Sequence, residues 1–205
     1  ILAKALKNTG MFVFGYREYP SLIKGGYSCY QIDISDSKIN ASSAECDVLI
    51  SISRASLSAY LSRVRFGGSV IHSNIQLRLT QQEQEIIEKN QLTIVYIPAR
   101  EIAITTANNK IMANTVMLGA TWQVLNLDLQ MLKDMISAQF AKKPAVIPGN
   151  TLCLEAGFAQ ELSGVKKLAL TLTVTQNFTD DLLLTGNHAI ALGAIAGGVR
   201  AYYAY

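Results

Sequence analysis

Two short segments carry residue types at spacings that could do chemistry. The first is the loop over residues 18–26, EYPSLIKGG. It follows a run that reads as a strand, and ligands in open α/β sheets bind beyond strand ends. Gly25 and Gly26 permit close backbone approach, while Lys24 and Ser21 could contact a phosphate or carboxylate. The same residues also describe a glycine turn joining two strands beside a solvated lysine. The second segment, residues 108–114, NNKIMAN, reads as a helix start. Free N–H groups and Lys110 could favour an anion there, or Asn108 could be an ordinary cap.

Other reactive residues lack partners at useful spacing. His72 ends one strand and His188 sits at a helix start, with no matching cysteine or carboxylate pattern for a metal. Cys29, Cys46 and Cys153 are far apart in sequence and form no C-x-x-C pair, so neither a zinc site nor an iron–sulfur cluster follows from them. They read as reduced, structural cysteines. A nucleophile elbow of the G-x-S-x-G type is absent. Gly193 and Gly197 fit G-x-x-x-G, which outside a membrane serves close helix packing. Tyr202, Tyr203 and Tyr205 suggest a stacking platform less than a strand beside a domain interface.

These residues need a scaffold, and the composition supplies one. Half of the 205 residues are hydrophobic and 16% are charged, ample for a core. A net charge of +3 with scattered basic residues argues against a nucleic-acid partner. The most apolar stretch, residues 189–199, falls well short of the roughly 20 residues that span a bilayer. The start shows no secretion signal, so the two glycosylation sequons at Asn40 and Asn177 are chance matches. A cytoplasmic protein is expected.

Residues 1–6 read as a helix that begins in mid-pattern without an N-cap, as though sequence upstream were missing, and Asn8 to Gly10 ends it. Strands are expected at residues 11–15, 30–35, 48–52, 70–71 and 92–97. A helix follows Leu57 and should stop at Gly67-Gly68, and Thr80 with Glu83 forms a capping-box signature for a second. Alternation of strands and helices predicts an α/β fold with a mainly parallel, Rossmann-like sheet. Residues 112–125 are apolar on nearly every face, which suits a helix buried between layers or between subunits. Leu129, Leu132, Ile136 and Phe140 stripe the next helix, and Asn150 can cap another through Leu162. From Val165 an extended connector is expected, then a small-residue helix from Thr185 and a strand over residues 200–205.

Three of these segments, YPSLIKGG (19–26), IPAREIA (97–103) and NKIMANTVMLG (109–119), resemble the gamma component of 2-oxoacid:acceptor oxidoreductases, the group that includes pyruvate and 2-oxoglutarate ferredoxin oxidoreductases. LTGNHAIALGA (184–194) with YYAY (202–205) resembles the opening of that family's alpha, pyrimidine-binding component. The order, gamma ahead of alpha, is similar to the 2-oxoglutarate or general 2-oxoacid branch. The resemblance implies a gamma domain over residues 1–163, a connector over 164–181, and a truncated alpha domain over 182–205. It also implies a sheet lacking its first strand and the G-x-G-G-Q-G turn that follows it. His188 stands where the family has glutamate, but this is not the glutamate that activates thiamine diphosphate.

The resemblance implies an enzyme that decarboxylates a 2-oxoacid on thiamine diphosphate and Mg, passes electrons through iron–sulfur clusters to ferredoxin, and transfers the acyl group to coenzyme A. The fragment itself would bind none of these cofactors alone. Its partners would be the rest of alpha and the beta subunit, in an oligomer. Tyr19, Ser21, Lys24, Gly25 and Gly26 carry over as a coenzyme A or anion contact loop; no catalytic residue carries over. The competing expectations are a purely structural interface domain and, on fold analogy alone, a dinucleotide-binding domain, for which no fingerprint is present.

Overall fold

In the computed structural model, residues 1–19, 27–168, 178 and 181–203 are described. Leu2–Asn8 winds into α1, which buries Ala3, Ala5 and Leu6. Strands β1 (Phe12–Glu18) and β2 (Cys29–Ser35) pair antiparallel, with Gly15 opposite Ile32 and Arg17 opposite Tyr30. Val13, Ile32 and Ile34 pack towards α1, so one face of this hairpin is covered.

β3 (Cys46–Ser51) leads into α2 (Arg54–Tyr60), where the Ser53 side chain accepts the Ser56 N–H as the N-cap. A 3-10 turn, Leu61–Arg63, then feeds β4 (Val64–His72). The Gly67-Gly68 pair lies inside β4 and does not end the helix. Gly67 has φ +70°, and the β3–β4 register shifts between Cys46 and Val48. Glycine suits such a bulge, because the left-handed conformation disfavours any Cβ. α3 (Gln81–Lys89) opens with the expected capping box between Thr80 and Glu83. β5 (Thr93–Tyr96) completes a parallel sheet in the order β3-β4-β5.

Four helices close one side: α4 (Ala99–Ala107), α5 (Ala113–Val124), α6 (Leu129–Gln139) and α7 (Ile147–Phe158). The unbroken apolar character of α5 is explained within this chain. Its Val116, Met117 and Ala120 join Ile71, Ile97 and Cys153 in one core, while Trp122 joins Leu6, Leu132 and Leu154 in another. Leu49, Val70, Leu57 and Tyr60 form a third core on the opposite sheet face. Helix α7 starts at Ile147 with Pro148 in its first turn, so Asn150 lies inside it. There Asn150 donates to Val146 O at 2.8 Å and shares a 2.7 Å hydrogen bond with Thr115.

α8 (Gly186–Ala196) begins at Thr185, whose side chain accepts the His188 N–H, and it buries no residue. Residues 199–203 have no regular structure, contrary to the expected strand there. Most of the expected connector, residues 169–177, lies outside the described residues. Among the described residues no helix is long and apolar enough to cross a membrane.

Candidate functional site

Among the described residues the two sheets do not join: β2 pairs with β1, and β3 with β4. The edges of β2 and β3 that pair with no described strand border a cleft of about 720 Å³. Its apolar wall comes from α1 and α5, through Leu2, Leu6, Val124 and Leu125, with Ile32 and Ile34 from β2 and Val48 and Ile50 from β3. Its polar rim carries Ser53, Ser56, Tyr60, Arg63 and Arg65. The cleft thus combines apolar walls with a polar rim.

Tyr60 is a buried polar group at this cleft. It is 4% exposed, and its hydroxyl lies against Glu18 and Cys29 without completing a well-formed hydrogen bond among the described residues. Burial, then the neighbouring Cys29 and Glu18, pushes its pKa up to about 12. The hydroxyl therefore keeps its proton and is available as a donor. Burial and the adjacent Asp47 push the Cys46 thiol up to about 11, and burial with Glu18 also raises Cys29. Both thiols stay protonated and poorly nucleophilic near neutral pH, in keeping with structural cysteines. All three cysteines are free.

The sequence-predicted loop is anchored beside this rim. Glu18 forms a 3.4 Å ion pair with Arg63, and Tyr27 meets Tyr60 edge to face at 5.5 Å. Arg63 also lies over the Tyr60 ring, 5.1 Å from its centroid. Tyr19 is exposed. Ser21, Lys24, Gly25 and Gly26 fall in residues 20–26, outside the described residues. Tyr60 and Arg63 were invisible as site residues in the sequence, because Tyr60 reads as one apolar position of an amphipathic helix.

The other predicted segment does not form an anion site. Asn108 has φ +48° and caps the end of α4, a left-handed position that asparagine tolerates. Asn109 Oδ1 accepts the Ile111 N–H at 3.0 Å, Met112 N donates to Asn109 O at 3.1 Å, and Ala113 N donates to Lys110 O. Those N–H groups are already used within a 3-10 turn, so they are not free for an anion.

Among the described residues no group of three His, Cys, Asp or Glu side chains could hold a metal ion.

Residues 1–160 match the sequence profile of the family described as "Pyruvate ferredoxin/flavodoxin oxidoreductase". The chain is 24% identical over 239 aligned positions to the 2-oxoacid:ferredoxin oxidoreductase subunit alpha of Sulfolobus sp, covering 99% of this chain and 37% of that relative. It is 25% identical over 162 positions to the 2-oxoglutarate synthase subunit KorC of Methanothermobacter marburgensis, covering 77% of this chain and 84% of that subunit. The fold matches that of the 2-oxoglutarate:ferredoxin oxidoreductase from Magnetococcus marinus, solved with 2-oxoglutarate, coenzyme A and succinyl-CoA bound. That match has a TM-score of 0.78 and 22% identity, over 96% of this chain and 34% of the other. The chain thus spans about a third of the Sulfolobus and Magnetococcus chains.

Proposed function

The chain belongs to the pyruvate ferredoxin/flavodoxin oxidoreductase family, and from that membership we propose that it is a component of a thiamine-diphosphate-dependent 2-oxoacid:ferredoxin oxidoreductase. The complete enzyme oxidatively decarboxylates a 2-oxoacid to an acyl-coenzyme A in the cytoplasm. Thiamine diphosphate, when bound, supplies the carbanion chemistry in a neighbouring part of the assembly. This chain contributes subunit assembly and the positioning of coenzyme A. The rest of alpha and the beta subunit are its partners, with ferredoxin as acceptor.

The observation that carries this reading is the family match over residues 1–160. The division into a gamma domain (1–163), a connector (164–181) and the opening of alpha (182–205) draws on the two relatives. The stand-alone subunit matches 77% of the chain, whereas the Sulfolobus alpha subunit runs through 99%. The buried-residue-free α8 agrees with that division.

Coenzyme A positioning is assigned to Tyr19, Ser21, Lys24, Gly25 and Gly26. Support comes from the ends of this loop, held by Glu18 with Arg63 and by Tyr27 with Tyr60. A lysine at such a loop suits a phosphate, and a hydrogen bond to a charged group contributes about 1.5–3 kcal/mol. In the complete enzyme, Lys24→Glu should raise the KM for coenzyme A about tenfold or more, and the KM for the oxoacid by much less. Unchanged KM values would remove the loop from the ligand site and leave a purely structural domain.

A further inference from the structure

The turn from α1 into β1 sets two side chains beside each other. Lys7 lies in the last turn of α1, where a cation suits the helix C-terminus. Phe12 opens β1, opposite Ser35 of β2. Between them Gly10 has φ +83°, a conformation that favours glycine, and its N–H donates to Lys7 O at 3.1 Å. The Thr9 hydroxyl donates to Leu6 O at 2.6 Å, and Thr9 and Met11 are both buried. The turn is closed by its own hydrogen bonds and fastened to the core.

Both side chains reach residues far away in the sequence. The Lys7 ammonium donates to Phe178 O at 2.6 Å and to Asp181 O at 2.8 Å. The Phe178 ring meets that of Phe12 edge to face, with centroids 4.9 Å apart. The Asp181 N–H donates to Phe178 O at 3.1 Å, so the two carbonyls that Lys7 holds are also tied to each other. A hydrogen bond from an ammonium is roughly twice as strong as a neutral one, and here one ammonium makes two. The aromatic pair adds an apolar contact beside them.

The stretch that follows α7 is fixed as well. The Thr93 hydroxyl donates to Gly164 O at 3.3 Å, and the Leu168 N–H donates to Val124 O at 2.9 Å. Leu168 packs against two of the three cores. Beyond Asp181 the character changes: Leu182 and Leu184 are exposed, and α8 buries no residue. The last residue fastened to α1 and β1 is therefore Asp181, four positions before the N-cap Thr185.

We propose that Lys7 and Phe12 form an intramolecular latch for Phe178 and Asp181. The latch fixes the point from which α8 leaves the fold, and residues 182–184 are the hinge. In the proposed assembly it would set where the opening of alpha stands against gamma. The latch itself rests on its contacts alone, because neither Lys7 nor Phe12 enters the family reading, and its failure would leave that reading untouched.

The test is nitrogen-15 relaxation of the 205-residue chain, read at Phe178, Asp181 and residues 182–184. Val116 and Ala120 of α5 serve as the control for the fold. In the unsubstituted chain Phe178 and Asp181 should have order parameters of about 0.85, as in rigid backbone, with lower values at residues 182–184. Lys7→Met keeps an unbranched stem of similar helix propensity and removes the ammonium. It should drop Phe178 and Asp181 below about 0.6 and leave α5 unchanged. Phe178→Ala leaves α1 and β1 intact and should act in the same way, so it decides the matter if Lys7→Met also loosens α5. A value below about 0.6 at Asp181 in the unsubstituted chain would overturn the latch. So would rigid values at Phe178 and Asp181 in either variant.

Discussion

Gly119 on α5 and Gly157 on α7 face the opposing helix reciprocally. A Cβ on Gly119 would strike the Leu154 carbonyl oxygen, and a Cβ on Gly157 the Val116 carbonyl oxygen. Neither obstacle is a flexible side-chain tip, so two helix backbones would have to separate. Because α5 and α7 share cores with the sheet and with α1, that separation would spread through the fold.

Gly157→Ala should therefore destabilise the chain strongly, although alanine is the better helix former by about 1 kcal/mol. Overpacking typically costs about 1–3 kcal/mol, and a backbone clash belongs at the upper end. For a chain of this size that lowers Tm by roughly 6–12 °C at about 3 kcal/mol. Thermal unfolding followed by the fluorescence of buried Trp122 measures it; an unchanged or raised Tm would show that the helices do not approach this closely.

Glu83 is the acid whose titration should be felt in stability. Its carboxylate binds Arg54, with Nη1 at 2.8 Å from Oε1, accepts the Thr80 N–H at 2.8 Å, and accepts from Ser58 at 2.8 Å. The Arg54 hydrogen bond is the main cause that holds its pKa down to about 2, from the ordinary 4.5. A depressed carboxyl pKa contributes stability in full above the unfolded value, and loses it as pH falls through the folded one. Glu83→Gln should cost about 1–3 kcal/mol at neutral pH. The gap to the unsubstituted chain should shrink between pH 4.5 and about 2. Urea unfolding across that range decides it; a gap independent of pH would exclude the ion pair as its source.

The features legible in the sequence were those set by neighbours within one turn or one strand. The Thr80–Glu83 box is an example, because both partners lie three residues apart. The Gly67-Gly68 pair was misread because glycine ends helices and makes bulges alike, and only the pairing of β4 with β3 separates the two. Ser51, His72 and Tyr96 are register partners across β3, β4 and β5, and nothing in the sequence marks them as neighbours. The register that aligns them is a long-range property. Tyr60 became a site residue only when Cys29 and Glu18, from a distant hairpin, were brought against it.

Tyr60→Phe tests whether the cleft hydroxyl is satisfied. With no well-formed hydrogen bond to Glu18 or Cys29, the hydroxyl carries part of the desolvation cost of about 1–3 kcal/mol of an unmatched group. Removing it should leave stability unchanged or raise it by up to about 1 kcal/mol, while the ring contacts with Tyr27 and Arg63 persist. Chemical denaturation supplies the comparison. A loss of about 1 kcal/mol or more would instead show that the hydroxyl is bonded within the folded chain.

The final prediction concerns α8. Ile190 and Ile195 are 73% and 71% exposed, and no residue of this helix is buried. An isolated helix of 11 residues is marginal in water, so α8 draws little stability from the rest of the chain. Its backbone amides should exchange with solvent far faster than those of α5, whose Val116 and Ala120 are fully buried. The double substitution Ile190→Glu with Ile195→Glu should then change the stability of the 205-residue chain by no more than about 0.5 kcal/mol. On the proposed division, the same substitution should prevent assembly of α8 with the proposed alpha partner, where two new charges would have to be desolvated. Hydrogen exchange and thermal unfolding read the first effect, and co-purification reads the second. Slow exchange in α8, or a Tm loss comparable with that of Gly157→Ala, would mean that α8 packs into the core of residues 1–163 and that the proposed boundary at 164–181 does not exist.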